Sequence, residues 1–234
     1  MHLAIFDLDN TLLDGDSDYL WGRFLVQVGL VDSERYEQGN RRFYEDYMAG
    51  TLDIRAFLRF SLTPLRRVPM DELHTLRRRF VDEVVRPRVL PAARELIEQH
   101  RRRGDRLLII TATNSFVTGP IAELLGVGHL LATEPEMADG HFTGEIAGTP
   151  AFQGGKLQRL HQWLSARPER FEQRWFYSDS RNDLPLLEAV DHPVGVDPDA
   201  ELERIARQRD WPVVSLRSDA GRRVFERVAE PLRG

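Results

Sequence analysis

The chain has 234 residues, of which 41% are hydrophobic and 29% charged, and a formal net charge of −5 at pH 7. This length suits one large domain or a core with a modest second domain. The acidic balance argues against a nucleic-acid partner, because such domains usually carry a net basic face. The lack of cysteine excludes disulfides, thiolate metal sites and a cysteine nucleophile, and it fits a cytoplasmic location. No apolar run approaches the roughly 20 residues that span a bilayer, and the first residues lack a signal-peptide pattern, so we expect no membrane partner.

A short apolar segment, Leu3 to Phe6, directly precedes Asp7 and Asp9. Such a run is typical of a buried strand in a parallel sheet, and open α/β sheets bind ligands outside the carboxyl ends of their strands. Residues two apart in a strand share a face, so both carboxylates can enter one site. Two close carboxylates stay ionised at neutral pH only beside a cation, unless one takes a proton. The pair therefore predicts a hard metal ion.

The region after Asp14 changes from a strand pattern to a helical one. Apolar residues recur at helical spacing up to Arg86, without a second strand pattern. We therefore predict a small helical domain inserted after the first strand, over residues 15–87, with its aromatic residues forming the core of a helix bundle. Candidate helix starts and stops in this segment are Ser17 and Ser33, and Gly29 and Gly50.

From residue 88 onwards, strand and helix patterns alternate. This alternation predicts an α/β fold with a doubly wound parallel sheet, whose core is formed by residues 1–14 and 88–234. Asp139-Gly140 marks a hairpin turn within this region. The predicted helices cover 91–103, 114–125, 156–165, 184–189 and 199–207, and the predicted strands cover 107–110, 129–133, 175–177, 193–196 and 213–215.

Polar residues recur where predicted strands end or helices begin, so they can converge on one crevice. Taken singly, each has a simpler interpretation: a strand-end hydroxyl bonded to the backbone, a surface lysine, or acids capping a helix. Their order along the chain favours a shared site instead. The residues are Asp7 and Asp9, Thr111, Lys156, and Asp179 with Asp183.

This set supports phosphoryl transfer. Asp7 would attack phosphorus and form an aspartyl-phosphate, and Asp9 would protonate the leaving alcohol and then activate water. Mg²⁺ would be held by Asp7, Asp179 and a backbone carbonyl at Asp9. Phosphate oxygens would meet the charge of Lys156, the Thr111 hydroxyl and the backbone N–H groups of residues 112–114, from Ala112 to Asn114.

At these residues the chain resembles the haloacid dehalogenase superfamily. Asp7 to Thr11, Asp-Leu-Asp-Asn-Thr, is similar to its first motif, and Ile109 to Thr113 to its second. Lys156 is similar to the third motif, and Ser178 to Asp183 to the fourth, whose leading acid binds Mg²⁺ in the family. The resemblance implies a Mg²⁺-dependent phosphatase with a Rossmann-like core, a helical cap of subclass I, and Asn182 and Asp183 supporting the metal ligands.

The layout is nearest to phosphoserine-phosphatase-like members, with some differences. Those enzymes usually have Ser-Gly-Gly at the second motif, where this chain has Thr-Ala-Thr. Their cap glutamate is matched in position by Asp16. For the substrate-binding cap arginine, Arg55 and Arg59 are the nearest candidates. We expect Asp16, Ser17 and the Arg55/Arg59 region to face the substrate.

Four functions remain to be compared. The first is hydrolysis of a small organic phosphate, including a specific phosphoserine or histidinol-phosphate phosphatase, and the second is a phosphotransferase or mutase using the same aspartyl-phosphate. A dinucleotide-binding dehydrogenase would need G-x-G-x-x-G after the first strand, which this chain lacks. A catalytically silent binding module would gain little from keeping Asp7, Asp9, Lys156 and Asp179, because unpaired buried charges are costly. The sequence does not predict the oligomeric state.

Overall fold

The computed structural model describes residues 1–218, so the last sixteen positions assigned above to the core, 219–234, lie outside the described residues. In the described part, seven strands form one sheet in the order β4-β3-β2-β1-β5-β6-β7. Every neighbouring pair is parallel except β3 and β4. The strands are β1 (Leu3–Phe6), β2 (Arg106–Asn114), β3 (Leu130–Ala138), β4 (His141–Ala147), β5 (Arg174–Ser178), β6 (His192–Val196) and β7 (Val213–Val214).

The predicted α/β fold with a doubly wound sheet is confirmed. β1 is central, and its four residues are fully buried because both faces of the sheet are covered. Its side chains alternate between two hydrophobic clusters. Ala4 and Phe6 join one cluster, and Leu3 and Ile5 join the other. The helices are α1 (Ser17–Gln27), α2 (Ser33–Ala49), α3 (Ile54–Leu62), α4 (Met70–Phe80), α5 (Pro91–Arg102), α6 (Ser115–Leu124), α7 (Gly154–Ser165), α8 (Leu184–Leu187) and α9 (Ala200–Gln208).

Helices α1 to α4 all lie between β1 and β2, so the predicted helical insertion after the first strand is present. The segments that connect the core to the insertion at its two ends lie next to each other. Leu13 forms an antiparallel bridge with Val89, and the Asp14 N–H donates to the Arg88 carbonyl at 2.8 Å. These contacts support the proposed division into a core and a cap over residues 15–87.

Helix α1 begins one residue earlier than the candidate cap implied. Asp16, not Ser17, is its N-cap, because the Asp16 carboxylate accepts from the N–H groups of Asp18 and Tyr19 at 2.9 Å each. Asn114 does cap α6, accepting from the Val117 N–H at 3.1 Å.

The β3–β4 hairpin is longer than the sequence predicted. Asp139 and Gly140 form its turn with φ values of 50° and 77°, as the Asp-Gly signal indicated. The strand before it continues to Ala138, beyond the expected end at residue 133, because antiparallel pairing with β4 supplies backbone partners there.

Across residues 1–218, none of the helices combines the length and apolar character needed to cross a lipid bilayer.

Candidate active site

The amino group of Lys156 lies between two buried carboxylates. Its Nζ donates to Asp7 at 2.7 Å and to Asp183 at 2.8 Å, and all three side chains are at least 94% buried. Ser178 Oγ donates a further hydrogen bond to Asp183 at 2.7 Å. The end of β1, the first turn of α7 and the turn after β5 thus meet at one charge cluster. Three of the four predicted motifs are brought together here.

The turn before Lys156 depends on a glycine. A Cβ atom on Gly155 would lie 2.1 Å from the carbonyl oxygen of Pro150, so only glycine allows this close approach. The preceding Gln153 has a positive φ of 48°. Helix α7 therefore starts at Gly154, two residues before the predicted start, and Lys156 lies in its first turn.

Asp9 is held by donors from the cap and from β2. Its Oδ1 accepts from the Ser17 N–H at 2.7 Å, and its Oδ2 accepts from Thr113 Oγ1 at 2.8 Å and more weakly from Thr111 Oγ1 at 3.4 Å. Thr111 Oγ1 also accepts from the Thr113 N–H at 3.2 Å. These bonds fix the Asp9 carboxylate toward the second motif.

Asp179 is bound to the first motif through a hydroxyl. Thr11 Oγ1 donates to Asp179 Oδ1 at 3.0 Å and accepts from the Asp179 N–H at 3.1 Å. Asp179 is therefore fixed beside the loop that carries Asp7 and Asp9. Asn182, predicted beside it, accepts from Gln153 Nε2 at 3.2 Å and so ties the fourth motif to the turn before α7.

The cluster carries more acid than base. Burial raises the pKa of Asp7 to about 7 against the lowering effect of Lys156, and burial with the charge of Asp16 raises the pKa of Asp9 to about 6. Burial and the charges of Asp7 and Asp183 raise the pKa of Asp179 well above its usual range. For Lys156, burial lowers the pKa, but the charges of Asp183 and Asp7 outweigh burial and raise it.

This excess of buried oxygen donors fits a divalent cation. Within residues 1–218, no three side chains of the types His, Asp and Glu stand together in a metal-binding arrangement. Mg²⁺ does not need such a cage, because it usually binds through one or two carboxylates and completes its shell with water and substrate oxygens. Asp7 and Asp179 are carboxylates of this kind, and their mutual repulsion is relieved by a cation.

A cavity of about 600 Å³, its open mouth included, separates these residues from the cap. Its floor includes Asp7, Asp9 and Lys156, together with the second-motif residues Thr111 to Thr113. Its other walls come mainly from α1, α2 and α3 and are acidic and aromatic. They include Asp16, Asp18, Tyr19, Phe43, Tyr44 and Phe57.

The prediction that the aromatic residues of the cap form a helix-bundle core holds for only some of them. Phe24 does pack in the hydrophobic core, as predicted for the cap aromatics in general. Phe43, Tyr47 and Phe57, however, line the cavity. Helical spacing reports which residues share a face of a helix, but it does not distinguish a face that meets a neighbouring helix from one that meets a cavity.

Three further candidates lie away from the cavity. Arg59 and Arg55 are exposed and outside its walls, and Arg59 forms an ion pair with Glu145 at 3.3 Å. The Asn114 side chain is buried as the cap of α6 and is likewise not part of the wall.

Sequence reasoning missed several residues that the structure brings to the site. Thr113 was noted only as part of a motif, and Asp18 and Asn40 were not singled out. A stronger signal for the third motif was also available. The chain has 32 lysine and arginine residues in all, and Lys156 is the only lysine among them.

The family model of haloacid dehalogenase-like hydrolases matches residues 4–188. The chain belongs to this family. The match includes all four motifs, so the predicted resemblance is confirmed. A histidinol-phosphatase from Neisseria meningitidis is 46% identical over 220 residues, which cover 92% of this chain and 99% of the relative.

Two solved structures place this haloacid dehalogenase-like hydrolase among similar folds. A protein of unknown function from Bordetella pertussis has a TM-score of 0.87 and 42% identity, covering 92% of this chain and 98% of its own. A substrate-bound phosphoserine phosphatase complex has a TM-score of 0.70 at 17% identity and covers 97% of both chains. The second likeness concerns the fold alone.

Proposed function

We propose that this hydrolase is a Mg²⁺-dependent phosphomonoesterase that acts through an aspartyl-phosphate on Asp7. The observation that carries the proposal is the buried contact of Lys156 with Asp7 at 2.7 Å, beside a cavity open to a small molecule. The lysine charge orients the carboxylate and also offers a positive charge to incoming phosphoryl oxygens. Asp7 attacks phosphorus, the bond to the leaving oxygen breaks, and water later releases phosphate from Asp7.

Asp9 is the general acid and base in this proposal. Burial and then the charge of Asp16 raise its pKa to about 6, which is close to the pH at which it would operate. The bonds from Ser17 and Thr113 hold its carboxylate in one orientation. Asp9 would give its proton to the leaving alcohol and recover a proton from the attacking water.

The remaining polar groups would bind the phosphoryl oxygens and the metal. Thr111 and Ala112 line the cavity together with Lys156. Asp7, Asp179 and the carbonyl of Asp9 would hold Mg²⁺. When bound, the ion would neutralise the repulsion between carboxylate and phosphate.

We further propose L-histidinol phosphate as the substrate. The relative named histidinol-phosphatase covers nearly the whole chain, and the walls of the cavity suit an amine and a flat ring better than a carboxylate. In the part of the chain that the structure describes, the cavity walls contain one basic residue, Lys156, which already contacts two acids. The carboxylate of phosphoserine would therefore meet Asp16 and Asp18 without a cation to neutralise it.

We predict that the purified enzyme hydrolyses L-histidinol phosphate far better than L-phosphoserine, and that EDTA abolishes both this activity and that on p-nitrophenyl phosphate. Added Mg²⁺ should restore them, since the acidic cluster cannot approach phosphate without a cation. Phosphate release from the three esters measures this. Full activity of a metal-free preparation would contradict the metal requirement, and preference for phosphoserine would contradict the substrate.

The rival reaction is transfer of the phosphoryl group from Asp7 to a second alcohol. Water and an alcohol would approach the same intermediate through the open mouth of the cavity. Product analysis with added alcohols separates the two reactions. Free phosphate as the dominant product supports hydrolysis.

A further inference from the structure

Asp18 is a buried carboxylate with one unused oxygen. It is 6% exposed, and its Oδ1 accepts a long hydrogen bond of 3.4 Å from Ser61 Oγ on α3. Its Oδ2 is also buried, and no group in residues 1–218 donates to it. A buried acceptor without a donor costs about 1–3 kcal/mol, and more if charged. Folding alone therefore does not explain why an acid occupies this position.

The surroundings of Asp18 increase this cost instead of offsetting it. The neighbouring acids are Asp16 and Asp9, and burial followed by these two charges raises the pKa of Asp18 well above its usual range. The start of α1 favours an acid at this position, but Asp16 already caps that helix through two N–H groups. Helix capping therefore does not supply a hydrogen-bond donor to Asp18 Oδ2.

Asp18 also forms part of the cavity wall, beside aromatic rings. Tyr19 and Tyr44 lie with ring centroids 5.6 Å apart, and Phe43 meets Phe57 edge to face at 5.5 Å. Aromatic faces attract organic cations and stack with flat rings. A carboxylate next to such rings provides a site for a group that combines positive charge or N–H donors with an apolar surface.

We propose that Asp18 is a specificity-determining residue whose free oxygen accepts a hydrogen bond from a nitrogen-bearing group, an ammonium or an imidazole N–H, in the organic part of the phosphate ester. This inference rests on the proposed phosphatase function. Phosphate is bound at the cavity floor by other residues. Asp18 thus distinguishes esters by their leaving group and does not take part in phosphoryl transfer.

The test compares Asp18→Asn with Ser61→Ala. Asparagine keeps the shape of the side chain but removes its charge, whereas Ser61→Ala removes the hydrogen bond to Oδ1 and leaves the carboxylate in place. For each variant, kcat/KM is measured with L-histidinol phosphate and with p-nitrophenyl phosphate, whose leaving group has no N–H donor. Inhibition of p-nitrophenyl phosphate hydrolysis by L-histidinol gives a second readout, which does not depend on turnover of the amine ester.

We expect Asp18→Asn to lower the ratio of the two kcat/KM values, histidinol phosphate over p-nitrophenyl phosphate, by about 10- to 100-fold, the range expected for a lost hydrogen bond to a charged group. L-Histidinol should inhibit this variant more weakly by a similar factor. Ser61→Ala should keep the ratio within about threefold, the range of a weak bond.

Two results would overturn the inference. One is an unchanged ratio in Asp18→Asn, and the other is an equal fall in Ser61→Ala, which would assign the effect to packing of α1 against α3. Failure of the proposed function has a different signature, because the wild-type enzyme would then hydrolyse neither ester.

Discussion

The single lysine of the chain is the residue on which the site depends most. All other lysine and arginine positions of the chain are arginine. Lys156 contacts two buried carboxylates at 2.7 and 2.8 Å. A compact ammonium group fits between two acids where a planar guanidinium would need more room. Removing one member of such a buried cluster leaves uncompensated charge and typically costs about 3–5 kcal/mol.

We therefore predict that Lys156→Arg is not conservative. Activity on p-nitrophenyl phosphate should fall by about 10²- to 10³-fold, as for loss of one positioned charge donor, and the free energy of unfolding should fall by about 1–3 kcal/mol from overpacking. Steady-state kinetics and urea unfolding measure the two effects. Arg204→Lys, at an exposed ion pair with Glu201, is the matched control and should change stability by less than about 0.5 kcal/mol. Wild-type activity in Lys156→Arg would contradict this account of the lysine.

A second buried network lies in the core below the site. His100 Nδ1 lies 2.7 Å from Asp105 Oδ2, and its Nε2 lies 2.8 Å from the Tyr177 hydroxyl. Burial lowers the pKa of His100, although Asp105 acts in the opposite direction. On lowering the pH, the unfolded chain therefore takes up this proton first, so the contribution of His100 to stability is complete above about pH 6.5 and is lost as the pH falls below it.

We predict that His100→Gln reduces this pH dependence. The raised pKa values of Asp7 and Asp9 act with the opposite sign, because ionising those buried acids at higher pH favours unfolding. The informative quantity is thus the difference between wild type and variant. Urea unfolding should show that the free energy of unfolding of the wild type exceeds that of His100→Gln by about 1–3 kcal/mol at pH 7.5. This difference should be smaller at pH 5.5. A constant gap would contradict a neutral buried imidazole.

At the scale of elements, helix α7 positions the lysine through its first turn. A Cβ atom on Gly155 would collide with the Pro150 carbonyl, whereas one on Gly154 would meet nothing within 4 Å. The two adjacent glycines thus provide a test of how strictly the turn fixes the site.

We predict that Gly155→Ala lowers stability by about 1–3 kcal/mol, through strain in a packed turn, and displaces Lys156 enough to reduce kcat/KM. Gly154→Ala should be neutral or slightly stabilising, since alanine favours helix. Thermal unfolding and p-nitrophenyl phosphate kinetics on both variants measure this. Equal behaviour of the two would contradict a role for the Pro150 contact.

Local sequence patterns predicted the helices and strands better than they predicted the contacts between them. The apolar run at Leu3–Phe6 and the Asp-Gly turn after β3 were sufficient because strand burial and turn geometry are local properties. The free oxygen of Asp18 was not predictable, because the hydrogen-bond partner Ser61 is 43 residues away and the lack of a second donor is evident only in the folded cap. The same limit applies to Arg59, whose distance from the cavity depends on how α3 packs.

On the scale of the whole molecule, the helical insert covers the ends of the central strands. Tyr47 on α2 donates to Ser180 at 3.2 Å, and Arg181 donates to the carbonyl of Ala49 at the end of α2, so the cap contacts the loop after β5 directly. The core supplies Asp7, Asp9 and Lys156 to the cavity, and the cap supplies its acidic and aromatic walls. In the proposed function, the core would carry out phosphoryl transfer and the insert would set the preference for the leaving group.

In the proposed mechanism, Asp7 is the nucleophile and Asp9 is the proton carrier. Both are carboxylates near one cavity, but only Asp7 contacts Lys156, while Asp9 is bound by Ser17 and Thr113. Asp7→Asn should lose activity on the order of 10⁶-fold, as other nucleophile replacements do. Asp9→Asn should lose about 10²- to 10⁴-fold, the usual contribution of proton transfer.

Acid-quenched phosphoenzyme trapping with labelled p-nitrophenyl phosphate, followed by peptide mapping, distinguishes these roles most directly. We expect label on Asp7 in the wild type, more label on Asp7 in Asp9→Asn because water activation is impaired, and none in Asp7→Asn. Label on Asp9, or a phosphoenzyme formed by Asp7→Asn, would contradict these roles.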